Sequence, residues 1–161
     1  MLGHMAKTSR WLDDSEQELW QSLLTVVIAL PAALDRQLQR DAGISNFEYS
    51  VMARLSSADE ATMRLGDLAR GCDGTLPRMS KVMDRFEARG WVVRRPDPID
   101  GRYTLATLTA AGRKKVVASA PEHVAKVEQL VFAPLTATQR RTLGAALARI
   151  ADAVRAETDA C

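Results

Sequence analysis

Between Arg64 and Arg102 the chain reads RLGDLARGCDGTLPRMSKVMDRFEARGWVVRRPDPIDGR, and this stretch decides the fold. A short apolar-patterned segment, RLGDLARG, leads into the glycine-bounded turn GCDG, and TLPRMSKVMDRFEARG follows. In that second segment Met79, Val82, Met83 and Phe86 fall at the i, i+3, i+4 and i+7 spacing of a helix with one buried face. Thr75 is a natural N-cap, and Pro77 is tolerated in the first turn because its missing N–H has no partner there anyway. The opposite side carries Arg78, Lys81 and Arg85, three cations on one face. These 39 residues hold 9 Lys and Arg against 6 Asp and Glu, whereas the whole chain holds 22 against 20. The small net charge of +2 therefore conceals a basic middle. A local basic excess on a helix and a hairpin is the footprint of a nucleic-acid reader.

Gly90 closes that helix, and WVVRR then reads as a strand rich in β-branched and aromatic residues. Pro96, Pro98 and Gly101 mark a long hairpin tip, with YTLATLT as the returning strand. Upstream, a short helix over about Arg64 to Arg70 buries Leu65, Leu68 and Ala69. A helix-turn-helix followed by a two-stranded ribbon is a winged helix, whose second helix enters the major groove. In that geometry Arg94 and Arg95 meet phosphates from the strand, and Arg102 at the tip suits the narrow, electronegative minor groove.

Outward from this head, a long helix is predicted from Asp14 to Arg40. Its apolar stripe runs from Leu19 to Leu38, Pro31 kinks it and Gly43 ends it. A second helix starts at Ser45 or Asn46 and buries Phe47, Val51, Met52 and Leu55. Beyond the wing, Thr109 caps a helix to about Val131. Its stripe includes Val116, Val117, Ala120, Val124 and Val127, and Pro121 predicts a bend. TATQ at 136–139 is a capping box. It opens a last helix, to about Glu157, that buries Leu143, Ala146, Leu147, Ile150 and Val154. The fold class is mainly α with a small β-wing: six helices and a two- to three-stranded wing. Residues 44–109 form the winged helix-turn-helix DNA-binding domain, and residues 14–42 and 110–157 a helical dimerisation region. The terminal helices carry more apolar stripe than one small winged helix covers, so a two-fold homodimer is expected.

Composition excludes several alternatives. An apolar fraction of 47% and a charged fraction of 26% over 161 residues are ordinary for a soluble globular chain. The longest early apolar run, Val26 to Ala33, is interrupted by Pro31 and falls far short of a membrane span. The opening MLGHM reads as a vector remnant with Met5 as the native start, and it is set aside together with His4. Cys72 and Cys161 lack metal-ligand spacing, which points to a reducing, cytoplasmic setting and to no metal or cofactor. Cys72 is expected to be a small buried hydrophobe. No nucleophile elbow, phosphate loop or paired Cys/His occurs, so an enzyme is not expected. A winged-helix module that binds protein rather than DNA is the alternative of a different class.

The segments LGDLA, SKVMDRFEARGWVVRRPDPIDGR, LTAAGR and APLTATQRRTL, at their spacing here, resemble the multiple antibiotic resistance regulator (MarR) family of transcription factors over about Leu19 to Ile150. The resemblance implies a homodimer joined through its N- and C-terminal helices. It implies binding to a palindromic operator, repression of a neighbouring gene, and release by a small anionic, often phenolic, molecule. It places Thr75, Pro77, Arg78, Ser80 and Lys81 on the groove-facing start of the recognition helix and Arg102 at the wing tip. Asp100 would brace the wing by ion pairing. Arg85 would contact phosphate or pair with Asp100. A ligand pocket would lie between the dimerisation helices and the winged helix, lined by Trp20 unless that ring simply packs. His123 is expected on a solvated helix face and Trp91 in the core beneath the wing. The reactive cysteine of the family's peroxide sensors and the clustered histidines of its zinc sensors have no counterparts, so neither signal is expected.

Overall fold

The computed structural model describes residues 10–159, so the readings of MLGHM and Cys161 lie outside the described residues. Two compact units divide at Ala33/Leu34. The first contains the N-terminal part of α1 (Asp14–Ala42), which continues through Pro31. Asp13 caps it by accepting from the Glu16 N–H at 2.9 Å, and acidic Asp14 and Glu16 occupy its first turn. Leu19, Trp20, Val26, Val27 and Ile28 are exposed along this part of the helix. By length and composition α1 is apolar enough to cross a membrane, reaching a mean hydropathy of 1.3 over 18 residues. This departs from the sequence expectation that the early apolar run, Val26 to Ala33, falls far short of a membrane span. The same composition also serves a helix that packs lengthwise on another.

In the second unit, α2 (Asn46–Ser57) begins with a full capping box: Ser45 accepts from the Glu48 N–H, and Glu48 accepts from the Ser45 N–H at 2.8 Å. A 3₁₀ turn (Asp59–Ala61) leads into β1 (Thr62–Arg64) and then α3 (Leu65–Gly71). The recognition-type helix α4 spans Leu76–Ala88, with the wing strands β2 (Val92–Pro96) and β3 (Thr104–Leu108) after it. The sheet is antiparallel in the order β1-β3-β2, with Thr62 opposite Thr107 and Val92 opposite Leu108. Thr62 and Thr107 share a hydroxyl hydrogen bond of 2.8 Å. α5 (Ala110–Val127) runs on through Pro121, a single π-helical turn (Glu128–Phe132) follows, and α6 (Ala137–Asp159) ends the described chain.

One core joins the head. Val51, Met52 and Leu55 of α2, Leu68 of α3, and Met79, Val82, Met83 and Phe86 of α4 are buried with Leu38, Ile44, Val92, Ala106 and Leu108. Every apolar position read from the α4 stripe is buried. Phe47, Leu65, Cys72 and Trp91 pack at the margin instead of inside, so Trp91 is a partly buried cover on Phe86, centroid to centroid 5.7 Å. Gly112 at the start of α5 is a required glycine: a Cβ there would stand 2.2 Å from the Trp91 carbonyl oxygen and 2.7 Å from Leu108 Cδ1. That clearance lets α5 press against the end of the wing, where Thr109 donates to the Gly90 carbonyl at 2.7 Å.

The α5 and α6 stripes correct the sequence reading. Val116 is buried, but Val117 and Val124 are 64% and 60% exposed. Leu143, Leu147, Ile150 and Val154 are 41–60% exposed, and Ala146 is exposed too. Periodicity locates the apolar face correctly but not what covers it, because one chain offers α6 no surface to bury it.

Candidate nucleic-acid interface

α4 begins at the Gly74–Thr75 junction, where the Thr75 hydroxyl accepts from the Arg78 N–H at 3.4 Å. Thr75, Pro77, Arg78 and Lys81 are all exposed at the start of α4. The Arg78 guanidinium lies 3.8 Å above the centroid of the Phe47 ring. Ser80 sits lower on the helix and lines a groove of about 320 Å³ with Leu65, Arg94, Arg95, Pro96 and Thr104. The helix and the wing strand are thereby brought together, with Arg95 exposed along their seam.

Arg85 and Arg94 differ from expectation. Arg85 pairs with Glu48, Nε to Oε1 at 2.9 Å, and not with Asp100. Glu48 is only 8% exposed, and burial opposes its charge. The Ser45 N–H, the Arg85 guanidinium and the Ser45 hydroxyl outweigh that penalty and hold its pKa below the usual carboxylate value. The sequence expects Arg94 to meet phosphates; in the structure its guanidinium is engaged by two carboxylates of α4. Its Nε donates to Glu87 at 2.9 Å and its Nη2 to Asp84 at 2.7 Å, and its side chain is 24% exposed. These bonds tie β2 to the last turns of α4; they depress the Glu87 pKa and raise that of Arg94. Its charge is balanced within the protein.

At the wing tip Asp100 grips Arg102 through Nε–Oδ1 at 2.9 Å and Nη2–Oδ2 at 2.6 Å, while Arg102 remains 85% exposed. The Arg102 guanidinium lowers the Asp100 pKa, and Asp100 raises that of Arg102. So Asp100 orients the tip arginine itself. The brace between wing and body belongs to Asp97, which sequence reasoning missed. Asp97 is 6% exposed; it accepts from the Ile99 N–H at 2.9 Å and from Arg64 Nε at 2.7 Å, and both lower its pKa. Arg64 also lies 4.5 Å over the Tyr103 ring, clamping the hairpin from the β1 side. The signal is present in the sequence: an aspartate just before the Pro98 turn can close an Asx-type bond two residues on.

Trp20 lies in the N-terminal unit and is 48% exposed. A second open groove, about 530 Å³, is lined by Ser50, Ala53, Arg54, Ser57, Gly71, Cys72 and Asp73. Trp20 lines neither groove. Cys72 is half-buried there; burial pushes its thiol pKa up and Arg54 pulls against it, which is the setting of an inert thiol. His123 is not on a solvated face. Its ring packs 4.4 Å from Tyr49, with Nδ1 3.4 Å from Gln37 Oε1, and burial lowers its pKa.

No protein-family profile matches the chain. Among solved structures, Sco3205, a MarR family transcriptional regulator from Streptomyces coelicolor in complex with DNA, is 37% identical, with 89% of this chain and 91% of that one covered and a TM-score of 0.85. The chain belongs to the MarR family of transcriptional regulators. AbsC, a MarR family regulator from the same organism, is 32% identical over 92% of this chain and 99% of its own, with a TM-score of 0.86. The uncharacterized HTH-type transcriptional regulator YdgJ of Bacillus subtilis is 31% identical over 108 residues, 67% of this chain and 64% of YdgJ. This MarR-family chain thus spans a little under two-thirds of the length of that relative. The three-stranded sheet and six helices found here are the family's winged-helix fold.

Proposed function

We propose that the protein binds double-stranded DNA and regulates transcription, acting as a cytoplasmic homodimer on a palindromic operator. The observation that carries this is the open face of α4. Arg78 and Lys81 stand there without a carboxylate partner among the described residues, beside a wing whose tip cation, Arg102, is held outward by Asp100. Arg102 serves the minor groove, Arg95 the phosphates, and Thr75, Pro77 and Ser80 the start of the major-groove contact. Likeness to Sco3205, solved with DNA, supports the same reading. The exposed stripes of α1 and α6, Leu19 to Ile28 and Leu143 to Ile150, support pairing of two copies. That pairing would set half-sites about 10 bp apart or a multiple of that. The family resemblance supports a repressor released by a small anionic or phenolic effector, which would act by favouring a dimer spacing that no longer fits successive grooves.

The test is an anisotropy titration of the full chain against the intergenic duplex upstream of its own gene. Preferential binding over a scrambled duplex is expected, with affinity falling steeply as salt rises. Arg102→Ala should weaken that binding by about 10-fold or more. An absence of binding at low salt refutes the reading, and unchanged affinity of the variant refutes the wing assignment.

A further inference from the structure

Among the head's arginines, Arg78 and, at the far end of α4, Arg89 lie over a ring face with no carboxylate partner among the described residues. Arg64, Arg70, Arg85, Arg94 and Arg102 each grip a carboxylate, which satisfies their donors and offsets their charge. Arg78 grips none among the described residues; its guanidinium lies 3.8 Å over the face of Phe47. Its position is also electrostatically unfavourable, since it is the third residue of α4, where the helix dipole disfavours a cation. A ring face fixes the plane of a guanidinium without using its N–H groups, so the donors remain free for a second partner.

The ring itself is placed with little tolerance. Phe47 projects from the first turn of α2 and packs against the core margin. It fits beneath the α3–α4 turn because residue 74 is glycine: a Cβ there would stand 2.7 Å from Phe47 Cζ and 3.0 Å from Cε2. Turn, ring and guanidinium therefore lie in sequence: the missing Cβ at Gly74 leaves room for the ring, and the ring face supports Arg78. A planar, oriented guanidinium with free donors matches the O6 and N7 acceptors of guanine, which it can meet with two parallel bonds.

We propose that Phe47 is a specificity-determining positioning residue, whose ring orients Arg78 to read one guanine in each operator half-site. This rests on the DNA-binding reading above and deepens it. Phe47 acts only through Arg78 and touches no base.

The test uses a duplex that the full-length wild-type chain selects from a pool randomised over about 20 bp, two half-sites' worth. Each base pair of one half-site is replaced in turn and the affinity of each protein is measured. Wild type should discriminate at one G·C pair by about 10- to 100-fold, and Arg78→Ala should lose that discrimination. Phe47→Leu should lose about 3- to 10-fold of it at the same pair, keeping the other positions and the salt slope. Phe47→Tyr, which retains the ring face, should keep it. The double variant should match Arg78→Ala alone, because two residues acting as one unit are not additive. If Phe47→Leu does not fold, Phe47→Met carries the same comparison. Full discrimination by the folded variant, or a loss spread evenly over the half-site, overturns the proposal. If wild type selects no duplex, the DNA-binding reading falls and the inference with it; if wild type selects and the variant matches it, the inference alone falls.

Discussion

Replacing Glu48 by Gln removes the tie between α2 and the recognition helix α4, and the structure sets the size of the loss. One carboxylate oxygen accepts from the Ser45 N–H at 2.8 Å and from its hydroxyl at 3.1 Å, while the other accepts from Arg85 Nε at 2.9 Å. Glutamine has a single acceptor oxygen. If it serves Ser45, the NH₂ group faces the Arg85 donors; if it serves Arg85, the N-cap N–H of α2 loses its partner. The first arrangement wins, because Arg85 is 50% exposed and can turn to water, whereas Glu48 is 8% exposed. Solvent screening discounts the lost ion pair to about 1 kcal/mol. The poorly satisfied amide and the weakened cap add about 1–2 kcal/mol, partly offset because a neutral side chain is cheaper to bury. The expected net loss is about 2 kcal/mol, or roughly 4–8 °C in the thermal midpoint of a chain this size.

The effect should depend on pH in a definite sense. The folded-state pKa of Glu48 is depressed, so its contribution is complete above the unfolded carboxylate value and is lost as pH falls through the folded value. Urea unfolding by circular dichroism at pH 7 and then in steps into the acid range should show the wild-type and Glu48→Gln midpoints converging. Equal stability at pH 7 would refute the assignment of Glu48 as the tie. A gap that persists unchanged in acid would show that the loss is steric and not electrostatic.

Gly112→Ala tests the seam between wing and α5. Its Cβ would lie 2.2 Å from the Trp91 carbonyl oxygen, which only backbone movement can relieve, so a loss of about 2–3 kcal/mol is expected by urea unfolding; a loss under about 0.5 kcal/mol, the range of an ordinary surface change, would count against that close approach. Leu147→Glu with Ile150→Glu tests α6 as a dimer surface, since both side chains are 43% exposed in one chain. Light scattering should show a dimer for the wild type and a monomer for the variant, with the head still folded by circular dichroism; a variant mass equal to that of the wild type would remove α6 from the interface.

Much of the head is legible in the sequence because its signals are local. The α4 stripe repeats within three turns, and Thr75, Ser45 and Thr109 cap the helices they precede. β1 is harder to read. Its three residues show no alternation, and they become a strand only through pairing with β3 more than forty residues later. Arg85 and Arg94 escape a sequence reading for the same reason. Sequence shows a cation on a face, but Glu48 lies 37 residues from Arg85 and arrives beside it only when α2 packs on α4. His123 reads as solvated because its own helix offers it no partner; Tyr49 and Gln37, from two other helices, partly cover it.

These partners change what a basic patch means. A count of nine cations between Arg64 and Arg102 overstates the charge available to DNA, because several are taken up in holding the head together. Arg64 fastens the wing to β1, Arg85 fastens α4 to α2, and Arg94 fastens β2 to α4. Arg78, Lys81 and Arg95 hold no carboxylate among the described residues, and Arg102 is paired yet 85% exposed. The pairs thus serve the free cations: each internal bridge removes a degree of freedom from the helix or hairpin that carries one of them. Neutralising Arg85 or Arg94 should therefore act on DNA affinity through the shape of the head. Neutralising Lys81 or Arg95 should act through charge, lowering the salt slope by about one unit for each phosphate that the variant no longer neutralises.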